Sequence, residues 1–400
     1  MNRLLTDIPA GIRPEQLPAP KRSERTRLLF LTSNALGFKT LSRQFEAYTA
    51  SRDDVEAVHV RVTLPGSLAW LGRRASIARG WDVSGFRSAW AWSRYIPSLL
   101  SHRLPPDRFD AAVLSTQLVA RGMPRIKAQT GLPFATYVDT TVPQYIRDLG
   151  GGGFDWLSSP GERKILHSAD VVAGMSRWAL DSVRDDHGVP ESRLLLVRNA
   201  VPVAPTLPER PARPAGPIRL AIVGNDWVRK GGDRLIRWHQ ARWKPAAEVH
   251  VFGANVPIDR TLEGVVWHGS VDHARLIGEL LPSMDVFVLP TRADMSPWAL
   301  IEAAGCGLPV VSSRLGAIHE IVEHGRSGFL CHPAGDEDYI QAVEKLMADA
   351  ALRQSMGRAA HAHMLAAFTP QIAYGGLIDR LKSIIAAPAT PRRDGSRTPA

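Results

Sequence analysis

The chain has 400 residues, 44% of them hydrophobic, which is enough for two ordinary globular domains that each bury a core. Its formal charge of +10 raises nucleic acid as a partner, but the arginines are scattered and no nucleic-acid motif accompanies them. An anionic membrane surface or an anionic acceptor explains the charge at least as well, and no nucleic-acid partner is expected. No apolar run reaches the roughly 20 residues of a membrane helix, and the first residues have no signal-peptide core. Cys306 and Cys331 lack metal-ligand or redox spacing, so they read as small core residues in a reducing, cytoplasmic setting.

Residues 1–24 and 388–400 are polar, basic and Pro-rich and are expected to be disordered tails. The run RLLFLT at 27–32 reads as a buried strand, and the loop after it, which carries Gly37, leads into a helix near Leu41. Further strands are expected at 55–62, 111–115, 134–138 and 171–173, with helical stretches between them. That alternation makes residues 25–200 one α/β domain, a parallel sheet with helices on both faces. Within it, residues 68–103 interleave Trp70, Trp81, Trp90 and Trp92 with Arg73, Arg74, Arg79, Arg87, Arg94 and Arg103. Three readings stand side by side: a helix lying in an anionic membrane interface, a cradle for an anionic acceptor, or an amphipathic helix whose tryptophans pack inward. The four-glycine run at 150–153 has no Lys-Ser/Thr after it and is no P-loop; a mobile loop over a cleft is expected.

Residues 201–217 form the domain boundary. Their prolines, from Pro202 to Pro217, recur at every third position, the period of a stiff polyproline II connector with about three residues per turn. The pattern then restarts, with strands expected at 218–223, 248–252, 265–268, 285–289, 310–313 and 329–331. Residues 218–370 make a second α/β domain, closed by helices at 336–350 and 351–368, and a last amphipathic helix lies in 371–387. The fold class is α/β, with two doubly wound Rossmann-like domains on either side of a central cleft.

The loops after two strands of the second half carry the chemistry. In IVGNDWVRKGGDRL (222–235), a strand ends in Gly224, the loop brings Asn225, Arg229 and Lys230, and a helix follows Gly231 and Gly232. Cations there would face a diphosphate across the cleft. In 285–330, Asp294 lies in the loop after a strand and Glu302 one turn inside the next helix. Ser296 is placed to cap that helix, with Pro297 at its first position. The helix start would receive a phosphate, and Glu302 would accept two hydrogen bonds from a ribose diol. Taken alone, the two carboxylates read equally as a loop acid and a solvated helix residue. Asp336, Glu337 and Asp338 have the spacing of a metal–diphosphate motif but sit at a helix start, where acids serve as caps, and no metal is expected. His361 and His363 are two apart on one helix and do not share a face.

The whole segment resembles the signature of family 4 glycosyltransferases: Asp294, seven residues, Glu302, a small-residue run at 303–305, a Gly-x-Pro-Val-Val strand at 307–311 and a Gly-x-x-x-Glu-Ile-Val turn at 316–322. The resemblance is specific over 218–368 and thin before it. It implies the GT-B fold, a UDP- or GDP-linked sugar donor, a glycan or lipid-linked acceptor, no cofactor, and transfer with retention of configuration. It also implies that the last helix crosses back onto the first domain. The donor-binding residues carried over are Gly37, Asn225, Arg229, Lys230, Asp294, Met295, Ser296 and Glu302, and the catalytic ones Asp294, Asp139 and Lys230. Three positions depart from the pattern. The first acid is an aspartate where the family more often has glutamate, and Asn225 stands where it has arginine. Near residues 137–145, where relatives place a histidine, Asp139 is the nearest polar group; an aspartate after a strand is also an ordinary turn former. The family habit points to surface-polysaccharide assembly at the inner face of a membrane. A catalytically silent GT-B binder and a GT-B nucleotide-sugar isomerase are the alternatives, the second requiring acid–base carboxylates and histidines not seen in the sequence.

Overall fold

The structure, a computed structural model, describes residues 24–34, 37–70, 84–150, 159–207 and 216–387. Both tails, Trp81 and its neighbours, Gly151 to Gly153 and the middle of the Pro-rich connector lie outside the described residues. Two six-stranded parallel sheets form the frame. The first holds β1 (Thr26–Ser33), β2 (Val55–Val62), β3 (Ala111–Leu114), β4 (Phe134–Val138), β5 (Val171–Gly174) and β6 (Leu194–Leu196), in the order β2-β1-β3-β4-β5-β6. The second holds β7 (Ile218–Val223), β8 (Ala247–Phe252), β9 (Val265–Gly269), β10 (Val286–Leu289), β11 (Val310–Ser313) and β12 (Gly328–Cys331), in the order β12-β11-β10-β7-β8-β9.

The central strands β3, β4, β10 and β11 are buried at every position, as apolar runs covered on both faces require. The eleven strands expected from sequence are all present. The twelfth, β6, is three half-buried leucines at a sheet edge, too short to show a period. Strand order reverses between β1 and β3 in the first sheet and between β7 and β10 in the second. At such a switch point the loops leaving adjacent strands diverge to opposite faces and open a crevice at the strands' carboxyl ends. The loops carrying Gly37, Lys230 and Asp294 leave β1, β7 and β10.

Residues 336–368 form two helices, Glu337–Ala348 and Ala350–Ala367, separated at Asp349, whose carboxylate caps the second by accepting the Leu352 N–H at 2.8 Å. Asp336 is not a side-chain cap, contrary to its expected role: Arg234 (2.8 Å) and Arg237 (2.5 Å) hold its carboxylate instead. The last helix, Pro370–Ala386, belongs to the core of the first sheet, where Tyr374, Leu377, Ile378 and Leu381 pack with Phe45 and Tyr137. The Tyr374 ring stacks on Phe45 at 4.4 Å, and its hydroxyl meets the Ala200 amide at 3.3 Å. Two charges rim the contact, Lys382 on Asp54 (2.5 Å) and Arg52 on Asp379 (3.2 Å). Tyr374→Ala is expected to cost about 3–5 kcal/mol, as for other buried aromatics cut to alanine, read as a lowered urea midpoint.

Candidate active site

Lys230 and Asp294 meet directly. Lys230 Nζ donates to Asp294 Oδ2 at 2.7 Å, and both side chains are nearly buried. Arg229 Nη1 stands 3.4 Å from the same oxygen and donates to the Ala293 carbonyl at 2.8 Å, while its Nε pairs with Asp226 at 2.8 Å, so its half-exposed guanidinium borders the site. The cations therefore flank Asp294 on the same domain. The backbone allows this approach at one residue: Gly231 has φ +78°, and a Cβ there would lie 2.1 Å from the Pro290 carbonyl oxygen at the end of β10. Thr291 Oγ1 donates to Asp294 Oδ2 at 3.1 Å, and behind it Ser313 Oγ donates to the Thr291 carbonyl at 2.5 Å and accepts from the Tyr339 hydroxyl at 2.7 Å.

The loop then turns into the helix Trp298–Gly305. Pro297, with ψ 121°, is the N-cap, so the helix starts one residue later than expected and Ser296 does not cap it. Ser296 instead presents its carbonyl to Asn199 Nδ2 at 3.1 Å, a bond from the end of the first domain. Met295 is held through its carbonyl, which accepts the Ala317 N–H at 2.9 Å. That contact needs Gly316 (φ +52°), where a Cβ would come within 2.5 Å of the Asp294 carbonyl oxygen.

Glu302, on the same helix, is buried and accepts a hydrogen bond from His273 Nε2 at 2.9 Å. His273 went unnoticed in the sequence: it sits 29 residues upstream, beyond β9, in a stretch with no motif. The two residues share a cavity of about 470 Å³ with Gln44, Val201, Pro202, Val203, Ile277 and Cys306. An apolar wall with one convergent carboxylate, at this size, suits a small polar-ended ligand. The start of the connector is thus part of the site, with the Val201 N–H donating to the Phe368 carbonyl at 3.0 Å. Burial pushes the Cys306 thiol up to about 12, which makes it an inert lining group.

From the first domain, Gly37 caps the helix Phe38–Ala50, and a Cβ there would stand 3.0 Å from the Trp298 indole, so the β1 loop lies against the start of the Glu302 helix. Asn225 is spent elsewhere, accepting the Ala254 N–H at 2.7 Å. Asp139 follows β4 and accepts the Thr140 N–H at 2.9 Å, while Thr141 caps the next helix. Burial raises the Asp139 pKa, with Glu162 pushing the same way. Glu162 joins the loops after β3 and β4 by accepting from Gln117 Nε2 (3.2 Å) and the Val142 N–H (2.9 Å). Among the described residues no hydrogen bond or ion pair joins Asp139 to Asp294, Lys230 or Glu302, and no cluster of three or more His, Cys, Asp or Glu side chains is placed to hold a metal.

Residues 217–349 match the family model for Glycosyl transferases group 1. The glycogen synthase of Mycobacterium tuberculosis is 25% identical over 265 residues, 60% of this chain; the match spans 63% of that enzyme's length. Among solved structures, the sucrose-phosphate synthase of Thermosynechococcus elongatus superposes with a TM-score of 0.69 at 16% identity, over 90% of this chain and all of that one. HepE of Anabaena, solved in complex with UDP-glucose, gives 0.64 at 15% identity, again over 90% and 100%. At these identities the likeness is one of fold, and the fold is GT-B.

The His273–Glu302 bond raises the histidine pKa, with burial opposing. A raised folded-state pKa means that the pair's stabilisation is complete below the ordinary histidine pKa of about 6.5 and is lost as pH rises through the higher folded value. Arg43 opposes and Asp272 supports the charge. Urea unfolding of wild type and His273→Gln should therefore differ most at about pH 6 and below, and the difference should shrink as pH rises above the ordinary histidine range. A difference that grows with pH would contradict the pairing.

Proposed function

We propose that this chain, a GT-B glycosyltransferase whose residues 217–349 belong to the glycosyl transferases group 1, moves a sugar from a nucleotide-sugar donor to a glycan or lipid-linked acceptor, with retention and without a metal. The observation that carries the reading is the union of two features at one switch point. The Lys230–Asp294–Arg229 cluster lies at the ends of β7 and β10, and the helix that follows brings Glu302 to the wall of a half-open, mostly apolar cavity. A donor laid along this line puts its diphosphate on Lys230, Arg229 and the first amides of the Trp298–Gly305 helix. Its ribose diol meets Glu302, and its base enters the cavity beside Val201 and Ile277. With the diphosphate bound, Lys230 turns from Asp294 to phosphate, and the freed carboxylate orients the sugar hydroxyls.

In the transfer, the bond from the anomeric carbon to the diphosphate oxygen breaks while the acceptor oxygen bonds to that carbon on the same face. The acceptor proton passes to the departing phosphate oxygen. Lys230, Arg229 and the helix start stabilise the charge that develops on the leaving group. Asp139, a half-buried acid at the end of β4, contributes from the first domain as a contact to the transferred sugar. The nucleotide is UDP or GDP; the solved HepE complex holds UDP-glucose in the same fold.

A surface-glycan role at the inner face of a membrane fits the residues around 68–103. Trp70 and Trp90 are exposed, with the Arg94 guanidinium 5.3 Å above the Trp90 ring, while Trp92 is packed in the core against Tyr95. Peripheral contact is the form such binding takes, since no helix among the described residues is long and apolar enough to cross a membrane. A silent nucleotide binder is the second reading. It draws on Asn225, whose side chain is occupied by Ala254 where relatives have an arginine.

Thermal-shift titration with UDP, GDP, ADP and their sugar conjugates tests the donor. Stabilisation by one nucleotide is expected, and none from any of them would overturn the reading. Slow donor hydrolysis separates the enzyme from the silent binder. Glu302→Ala and Lys230→Ala should each lower transfer by at least about 10²-fold. The fold should persist, since Arg229 still faces Asp294 in the lysine variant. Retained transfer in either variant counts against this site.

A further inference from the structure

At the opposite end of the first sheet, where its strands begin, the surface is hollowed by a cavity of about 510 Å³. Its walls come from the helix Met123–Thr130, the end of the helix Ser159–Ser168, the turn Glu191–Arg193 ahead of β6, and the closing helix. Lys127, Asp170, Arg193 and Arg380 line it. The Asp170 charge is already met: its carboxylate accepts from Lys127 Nζ at 2.6 Å and from the Phe134 N–H at 2.9 Å.

Arg193 and Arg380 are different. Among the described residues neither has a carboxylate within ion-pair distance. Each is fastened by a backbone carbonyl, Arg193 Nη1 to His167 O at 2.7 Å and Arg380 Nη2 to Ser192 O at 2.8 Å. A carbonyl takes one N–H and cancels none of the charge. Both residues are exposed, and the single carbonyl bond that each makes leaves the remaining donors of two planar forks open to a ligand. Fixed guanidiniums in a concave site suit a tetrahedral oxyanion that bridges them in bidentate fashion.

We propose that this cavity is a second binding site, remote from the transfer cleft, for a phosphate-bearing small molecule whose phosphate bridges Arg193 and Arg380. Arg193 lies in the turn leading into β6, and Arg380 on the closing helix that continues from the second domain and already packs in the first sheet's core. An occupied site would therefore add a link between that helix and the β6 edge of the first sheet.

The site stands independently of the transfer reaction and is tested without it. Inorganic phosphate is titrated calorimetrically into the full chain at constant ionic strength, alongside Lys230→Ala and the double variant Arg193→Gln/Arg380→Gln. Saturable binding is expected in wild type and in Lys230→Ala. The double variant should bind at least about tenfold more weakly, the loss of one charge-assisted hydrogen bond or more. Arg380→Lys, which keeps the charge without the fork, should fall between and serves if the double variant unfolds. No saturable binding, equal binding in the double variant, or loss in Lys230→Ala instead would each overturn the proposal.

Discussion

The site depends on a carboxylate and an ammonium that neutralise one another in a nearly dry place. Asp294 and Lys230 are 2.7 Å apart with little solvent around either. Removing one partner of such a pair ordinarily costs about 3–5 kcal/mol, because the other charge is left buried and unpaired. The pair is kept close, and Arg229, which also bonds Asp226 at 2.8 Å, stands 3.4 Å from the same Asp294 oxygen.

That pair is aimed by contacts several residues away. Arg234, on the helix after Gly231, is buried against the stacked rings of Trp238 and Tyr339 and donates to the carbonyls of Pro290 and Pro333 and to Asp336. It ties the end of β10 to the loop after β12. Tyr339 passes the constraint through Ser313 and Thr291 to Asp294. A buried polar chain of this kind holds its members only when every one has a partner, as these do.

The sheets were readable because parallel strands covered on both faces leave long apolar runs, and the candidate site could be proposed because Lys230 and Asp294 sit in loops, and Glu302 on a helix, that such strands position. What failed was local and had a tertiary cause. Ser296 has the chemistry of a cap, yet the residue before a proline is biased toward extended backbone, and Asn199 takes its carbonyl from across the cleft. Asp336 has the position of a cap, but two arginines on a distant helix outcompete the local amide. His273 carries no periodic or motif signal, and only folding brings it to Glu302. The edge strand β6 is too short for a pattern to register.

The contacts between the domains explain why the first half resists the same reading. Glu320, from the Gly-x-x-x-Glu-Ile-Val turn, accepts the Trp178 N–H at 2.9 Å at the start of the helix Arg177–Asp185, with Arg198 Nη2 3.6 Å from its other oxygen. A carboxylate at a helix start contributes roughly 0.3–1 kcal/mol when exposed and up to about 2 when partly buried. Asn199 on Ser296 and Gly37 against Trp298 add contacts of the same modest scale. Each needs only a backbone amide, a small residue or one side chain from the first domain, so that domain meets its partner without a fixed motif and leaves little for a sequence pattern to register.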